Sequence, residues 1–174
     1  LDTLEGGYGI SLRQLERFAQ STYADSDVSR WIPHADPRTA AGDLTAAAQM
    51  HKAVTVMMLK LEAQVIARNP DFDLQGRDFL NHIDFAAGTV DYHGTVYPLL
   101  DCDFPTVDPA APTVLTAEEA HVIAGLVRSF AESERLQRHV QFLYAHGAFY
   151  KICNGNLLYH GAVPMTEDGA FAAI

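Results

Sequence analysis

The chain has 174 residues, 48% of them hydrophobic and 20% charged, which suits one domain at the usual allowance of about 150 residues. Its formal net charge is −10, from 22 acidic against 12 basic residues, so the positive footprint that a nucleic-acid partner requires is missing. No apolar run reaches the roughly 18 residues of a membrane span, and no basic segment followed by an apolar stretch marks a signal peptide, so no membrane role is expected.

The opening on Leu1 rather than methionine, and the stop shortly after the turn signal at Asp168-Gly169, make the sequence read as a segment of something longer. Cys102 and Cys153 lie far apart and form no CxxC, so reduced thiols in a cytoplasmic protein are expected.

In chain order, Ser11 precedes "LRQLERFAQSTYA", where Leu12, Leu15 and Phe18 stand at helical spacing, so a helix is expected over 11–24. A loop with Pro33 and Pro37 follows. The strongest helical pattern runs from Gly42 to Arg68, with Leu44, Ala47, His51, Val54, Met58, Leu61 and Val65 forming one continuous apolar face. On that face His51 is expected to pack rather than bind a ligand, and Met57-Met58 to fill core. Asn69-Pro70 stops the helix.

Next, "HIDFAAGTVDYHGTVYPLL" reads as a small β-meander within 82–98, with strands at Ile83–Phe85, Thr89–Tyr92 and Thr95–Tyr97. His93-Gly94 is its tight turn, which leaves His93 a turn residue. "DCDFPTVDPAAP" is a proline-rich connector. Thr116 and Glu119 form a capping-box signature ahead of a second long helical pattern. Ile123, Val127 and Phe130 carry its first half and Leu136, Val140 and Leu143 its second, with a bend or break at "ESE". The segment "FYKICNGNLLYHG" reads as two strands around Asn154-Gly155. The expected fold is α+β and predominantly helical: two long helices plus a short β-meander and a β-hairpin.

Compact phosphate-chemistry signatures are mostly absent. Six residues beyond Cys102 and Cys153 stand Asp108 and Tyr159, not the arginine of a cysteine phosphatase. Neither Arg138-His139-Val140 nor Tyr159-His160-Gly161 completes the Arg-His-Gly of a histidine phosphatase. Nucleotide-cradling glycine loops are missing. Asp101 and Asp103 stand as Asp-x-Asp at the end of an apolar run, the arrangement of an aspartyl-phosphate nucleophile and its general acid, but Pro105 is out of place and an acidic turn is the expected reading. His160 ends the run Leu157-Leu158-Tyr159 and precedes Gly161, a placement that suits either a strand-closing residue or a neutral imidazole ligand for manganese, iron or zinc.

The run "ESERLQRHVQFLYAHGAFYKICNGNLLYHGAVPMTEDGAF", with "VTVMMLKLEAQVIARNPDFDL", "HIDFAAGTVDYHGTVYPLLDCDFPTVDP" and "LDTLEGGYGISL", resembles the class III, Firmicutes-type fructose-1,6-bisphosphatases over nearly the whole chain. That family is similar to the calcineurin-like metallophosphoesterases, β-sandwiches with a dinuclear metal centre. The resemblance implies that His160 is a metal ligand, with Mn2+ the expected metal. It implies hydrolysis of the 1-phosphate of fructose 1,6-bisphosphate, in gluconeogenesis. It also makes residues 1–150 a mostly helical insertion and residues 151–174 a strand and His-Gly segment of the metallophosphatase core. The family's Gly-Asp-x-x-Asp-Arg-Gly and Gly-Asn-His-Asp motifs, and its later histidine motif, are not in these residues. One ligand cannot hold two metals, so the segment alone is expected to be inactive.

For the distal phosphate of a sugar bisphosphate the candidates are Arg128, Arg135 and Arg138. Arg128 and Arg135 share a helical face if the helix is unbroken. The competing expectation for them is surface pairing with Glu132 and Glu134. His139 is open to either a binding or a packing reading. A second reading of the segment, from another class, is a helical interaction module for homo-oligomerisation or regulator binding, with no chemistry of its own.

Overall fold

The computed structural model describes residues 3–34, 40–159, 161 and 165–171, in two compact units divided in the chain between Glu132 and Ser133. The first unit holds helices α1 (Arg13–Thr22), α2 (Ala41–Arg68) and α3 (Ala117–Glu132), with a three-stranded antiparallel sheet of β1 (Ile83–Asp84), β2 (Thr89–Tyr92) and β3 (Thr95–Pro98) in the order β1-β2-β3. The second holds α4 (Glu134–His146) and a hairpin of β4 (Tyr150–Cys153) and β5 (Asn156–Tyr159). The fold is α+β with more helix than strand, as the sequence predicts.

The core of the first unit is a three-helix cluster. Leu12, Leu15, Phe18, Ala19 and Tyr23 from α1 and its flanks meet Met50, Ala53 and Met57 of α2 and Val122 of α3. The α1 stripe read from the sequence is therefore the buried one. The helix itself is shorter than the expected 11–24. Its Leu12 N–H is capped from a distance, donating to Glu5 Oε1 at 3.0 Å, so Ser11 is not the cap. Packing of α1 on α3 is close at Gly125, where a Cβ would overlap the tip of Gln14, whose amide donates to the His121 carbonyl at 3.4 Å. Only the far end of a flexible side chain obstructs this position, while a mid-helix glycine costs about 1 kcal/mol against alanine. Gly125→Ala is accordingly expected to raise stability by about 0.5 kcal/mol, read as a shift in urea midpoint.

Helix α2 ends where Pro70 cannot supply an N–H, with Asn69 Nδ2 donating to the Val65 carbonyl at 2.7 Å. Its burial corrects the sequence expectation. The buried residues are Ala48, Gln49, Met50, Lys52, Ala53, Val56, Met57, Lys60, Ala63 and Ile66. Of the expected face, Leu44, Ala47, His51, Val54 and Leu61 are only half-buried, and Met58 and Val65 are 55% and 44% exposed. Met57 fills core as expected; Met58 does not. The physical reason is that long loops rather than a second apolar helix cover much of α2. A loop packed against a helix brings carbonyls that have no ladder partner and need donors. A polar row on α2 supplies them: Gln49 donates to Tyr23 O, Lys52 to Asp27 O, Lys60 to Thr106 O and Gln64 to Thr113 O, at 3.2, 3.1, 2.6 and 2.7 Å.

The meander matches its sequence reading closely, with Thr89 paired to Pro98 and Tyr92 to Thr95. His93 and Gly94 both take positive φ, 52° and 79°, as a two-residue hairpin turn of the mirror-image kind requires. The capping box also forms: Glu119 N–H donates to Thr116 Oγ1 at 3.1 Å and Thr116 N–H to Glu119 Oε2 at 2.8 Å. On α3, Ile123 packs against the core, but Val127 is 63% exposed, contrary to the expected spine, because Val122 takes the inward position.

In the second unit the break at "ESE" is a true helix boundary. Ser133 Oγ accepts from Leu136 N–H, starting α4 anew. Asn154 and Gly155, at φ 52° and 76°, make the second tight turn. The register Tyr150↔Tyr159 and Ile152↔Leu157 gathers four apolar side chains on one face of this hairpin, all of them exposed. Leu136 and Val140 are half-buried and Leu143 is 64% exposed, so the second half of the expected apolar spine covers no core among the described residues of this unit.

Candidate functional site

The most densely wired polar region lies where the connector after β3 crosses α2. Lys52 Nζ is 2.9 Å from Asp101 Oδ2 and 3.6 Å from Asp103 Oδ2, with the lysine side chain fully buried. Trp31 Nε1 donates to the same Asp101 Oδ2 at 2.7 Å, and Asp103 N–H donates to Asp101 Oδ1 at 3.0 Å. Both oxygens of Asp101 are thus occupied by neighbours within the fold. With its carboxylate turned to Lys52, Trp31 and the Asp103 N–H, the Asp101-Asp103 pair fits the acidic turn that the sequence favours, held by a lysine.

Two turns along α2, Lys60 Nζ sits 2.8 Å from Glu119 Oε2, and both side chains are fully buried. Glu119 Oε2 also closes the capping box, so one oxygen serves two donors while Glu119 Oε1 has no hydrogen-bond partner among the described residues. The sequence reading missed both lysines. The available signal was that Lys52 and Lys60 are the two lysines of this long helix, eight residues apart and so near one face, in a chain with an acidic connector at Asp101–Asp108.

Tyr23 stands beside this network, its hydroxyl 3.5 Å from Thr106 Oγ1. Burial pushes its phenol from 10.0 up to about 12; the Thr106 hydrogen bond opposes the rise, while Glu119, Asp103 and Asp101 add to it. A folded-state value above the unfolded one contributes stability that is complete below pH 10 and lost as pH climbs from 10 towards 12. The stability difference between the native chain and Tyr23→Phe is expected to be flat below pH 10, then to tilt against the native chain above it, as read by urea unfolding at stepped pH.

The other candidates fall in separate places. His51 is half-buried, its Nδ1 lying 3.3 Å from the Trp31 carbonyl, which fits the packing role expected of it. His93 is in its turn and its ring covers Gly76. Arg128 is exposed on α3 in the first unit, and Arg135 and Arg138 are exposed on α4 in the second. Because the helix breaks at Ser133, the seven-residue spacing does not put Arg128 and Arg135 on one helical face. Among the described residues none of the three forms an ion pair, so the alternative pairing with Glu132 or Glu134 is not formed either. His139 is exposed on α4. His160 lies outside the described residues.

Among the described residues no three histidine, cysteine, aspartate or glutamate side chains come together in a way that could hold a metal ion. These residues do not fit a dinuclear metal centre by themselves. Nor is any described helix long and apolar enough to cross a membrane.

What the fold and its wiring define is an α+β segment whose polar network is structural. Comparison with known proteins gives its family. The family model of the Firmicute fructose-1,6-bisphosphatases matches residues 1–174, and the chain belongs to that family. It is 47% identical over 174 residues to a class 3 fructose-1,6-bisphosphatase of Bacteroides fragilis, with 98% of this chain covered. A class 3 fructose-1,6-bisphosphatase of Alkaliphilus metalliredigens is 44% identical over 176 residues, and one of Clostridium beijerinckii is 42% identical, each covering 100% of this chain. The chain spans only 26% of the length of each of these relatives. No solved structure matches it.

Proposed function

We propose that the chain serves as part of a metal-dependent sugar bisphosphatase that converts fructose 1,6-bisphosphate to fructose 6-phosphate and phosphate, a step of gluconeogenesis in the cytoplasm. The observation that carries this reading is the end-to-end family match together with relatives that bear that enzyme's name. In this reading residues 1–150 are a largely helical insertion in a calcineurin-like phosphoesterase, and residues 151–174 join its core. His160 supplies one ligand to a dinuclear Mn2+ centre whose remaining ligands come from elsewhere in a chain of family length. Arg128, Arg135 and Arg138 are the candidates for contact with the distal phosphate.

The test is phosphate release from fructose 1,6-bisphosphate by a polypeptide of the relatives' full length carrying this segment, set beside the 174-residue chain. The longer protein is expected to turn over, to stop when a chelator removes its metal and to recover with Mn2+, while the short chain releases nothing. Failure of the longer protein with any divalent metal would remove the reading. The interaction-module reading stays beside it because α2 leaves an apolar face open.

A further inference from the structure

We propose that one face of α4 binds a sugar phosphate. Successive residues of a helix stand about 100° apart, so Arg135, His139, Phe142 and His146 fall within an arc of about 60°, and Arg138 borders it. All five side chains are exposed. The single carboxylate of α4, Glu134, stands one turn before Arg138, yet among the described residues no ion pair joins them. Residues 133–174 hold three acidic and three basic residues, so the whole −10 of the chain lies in residues 1–132. The field that makes the chain as a whole repel anions therefore does not arise from the unit that carries α4.

The two ends of this face suit the two parts of such a ligand. Arg135 and Arg138, one turn apart, offer two planar forks of N–H donors, the geometry that matches phosphate oxygens. Beyond them the rings of Phe142 and His146 lie against each other, with centroids 4.6 Å apart and planes tilted by 46°. Phe142 is 62% exposed, so this ring pair is a surface platform and not core. The negative face of an aromatic ring attracts the slightly positive C–H groups of a sugar. Arg138 and Phe142 are one turn apart, about 6 Å along the axis, which is the reach from a phosphate to the ring of the sugar that carries it. That the ligand is a sugar phosphate rests on the bisphosphatase reading; the cationic and aromatic face does not. Fructose 6-phosphate is the probe, because it keeps only the phosphate that the proposed reaction leaves in place.

The experiment uses the family-length protein carrying this segment, loaded with Mn2+. Phenylglyoxal labels arginines, and mass spectrometry reads the rate at each, with Arg13, exposed on α1, as the internal reference. Saturating fructose 6-phosphate is expected to slow labelling of Arg135 and Arg138 at least about tenfold relative to Arg13. By calorimetry the double variant Arg135→Gln with Arg138→Gln is expected to raise the Kd for fructose 6-phosphate at least about tenfold, and Phe142→Ala about three- to tenfold. No binding of fructose 6-phosphate, unslowed labelling of both arginines at saturation, or an unchanged Kd in the double variant would overturn the proposal. An unchanged Kd in Phe142→Ala would overturn the sugar-phosphate assignment. A protein that binds fructose 6-phosphate through these residues, yet releases no phosphate from fructose 1,6-bisphosphate, would sink the bisphosphatase reading and sustain this one.

Discussion

Lys60→Met is expected to lower the stability of the first unit by about 3–5 kcal/mol, the usual cost of leaving one partner of a buried ion pair alone. The size follows from the site. Lys60 and Glu119 are both fully buried, and the lysine also satisfies the Thr106 carbonyl at 2.6 Å. Without Lys60 a carboxylate with one already unpartnered oxygen stays in the interior, and a loop carbonyl loses its donor. Trp31 is the only tryptophan and lies in this unit, so its fluorescence in a urea titration reports the loss. The double variant Lys60→Met with Glu119→Gln is expected to regain more than half of it. Glutamine keeps the capping box while removing the buried charge. A double variant no more stable than the single one would show that the helix-to-loop hydrogen bond, not the uncompensated charge, sets the cost.

His160→Ala, made in a chain of the relatives' full length, is expected to lower phosphate release on the order of 100-fold or more and to reduce bound metal, with the circular dichroism spectrum unchanged. Changes to groups that merely orient a metal ligand already cost about 10–100-fold, so losing the imidazole itself should cost no less. Neutral imidazole binds iron and zinc as well as manganese, so metal content after Mn2+ loading is measured directly rather than inferred from rate. Retained metal and retained turnover would take the ligand role from His160. An unchanged metal content with lost activity would instead place the residue on the substrate side of the site.

Much of the local structure was legible because it rests on short-range rules. His93-Gly94 and Asn154-Gly155 are tight turns because such pairs accept positive φ at both positions. Thr116 and Glu119 cap α3 because their side chains reach each other's backbone N–H three residues away. The "ESE" break follows from a serine able to cap a new helix. Family membership was also written in the sequence, since it rests on many weakly specific stretches in one order. His160 stood as either a strand-closing residue or a metal ligand on its own stretch, and only the resemblance turned that choice towards the ligand.

The burial of α2 was decided by tertiary structure. Periodicity pointed to the stripe through Val54, Met58 and Val65, yet the fold buried the neighbouring face that carries Gln49, Lys52 and Lys60. A helix with apolar residues on two sides has no intrinsic preference that periodicity can reveal. The choice fell to the loops around Asp27, Thr106 and Thr113, whose carbonyls need donors once they pack against a helix. Likewise Asp101 could be read as a nucleophile or as a turn until Lys52 and Trp31, 49 and 70 residues away in sequence, were seen to occupy it. Contacts at that separation leave no local pattern, so the chain by itself determined its turns, caps and family, and the fold decided which side of its longest helix faces inward.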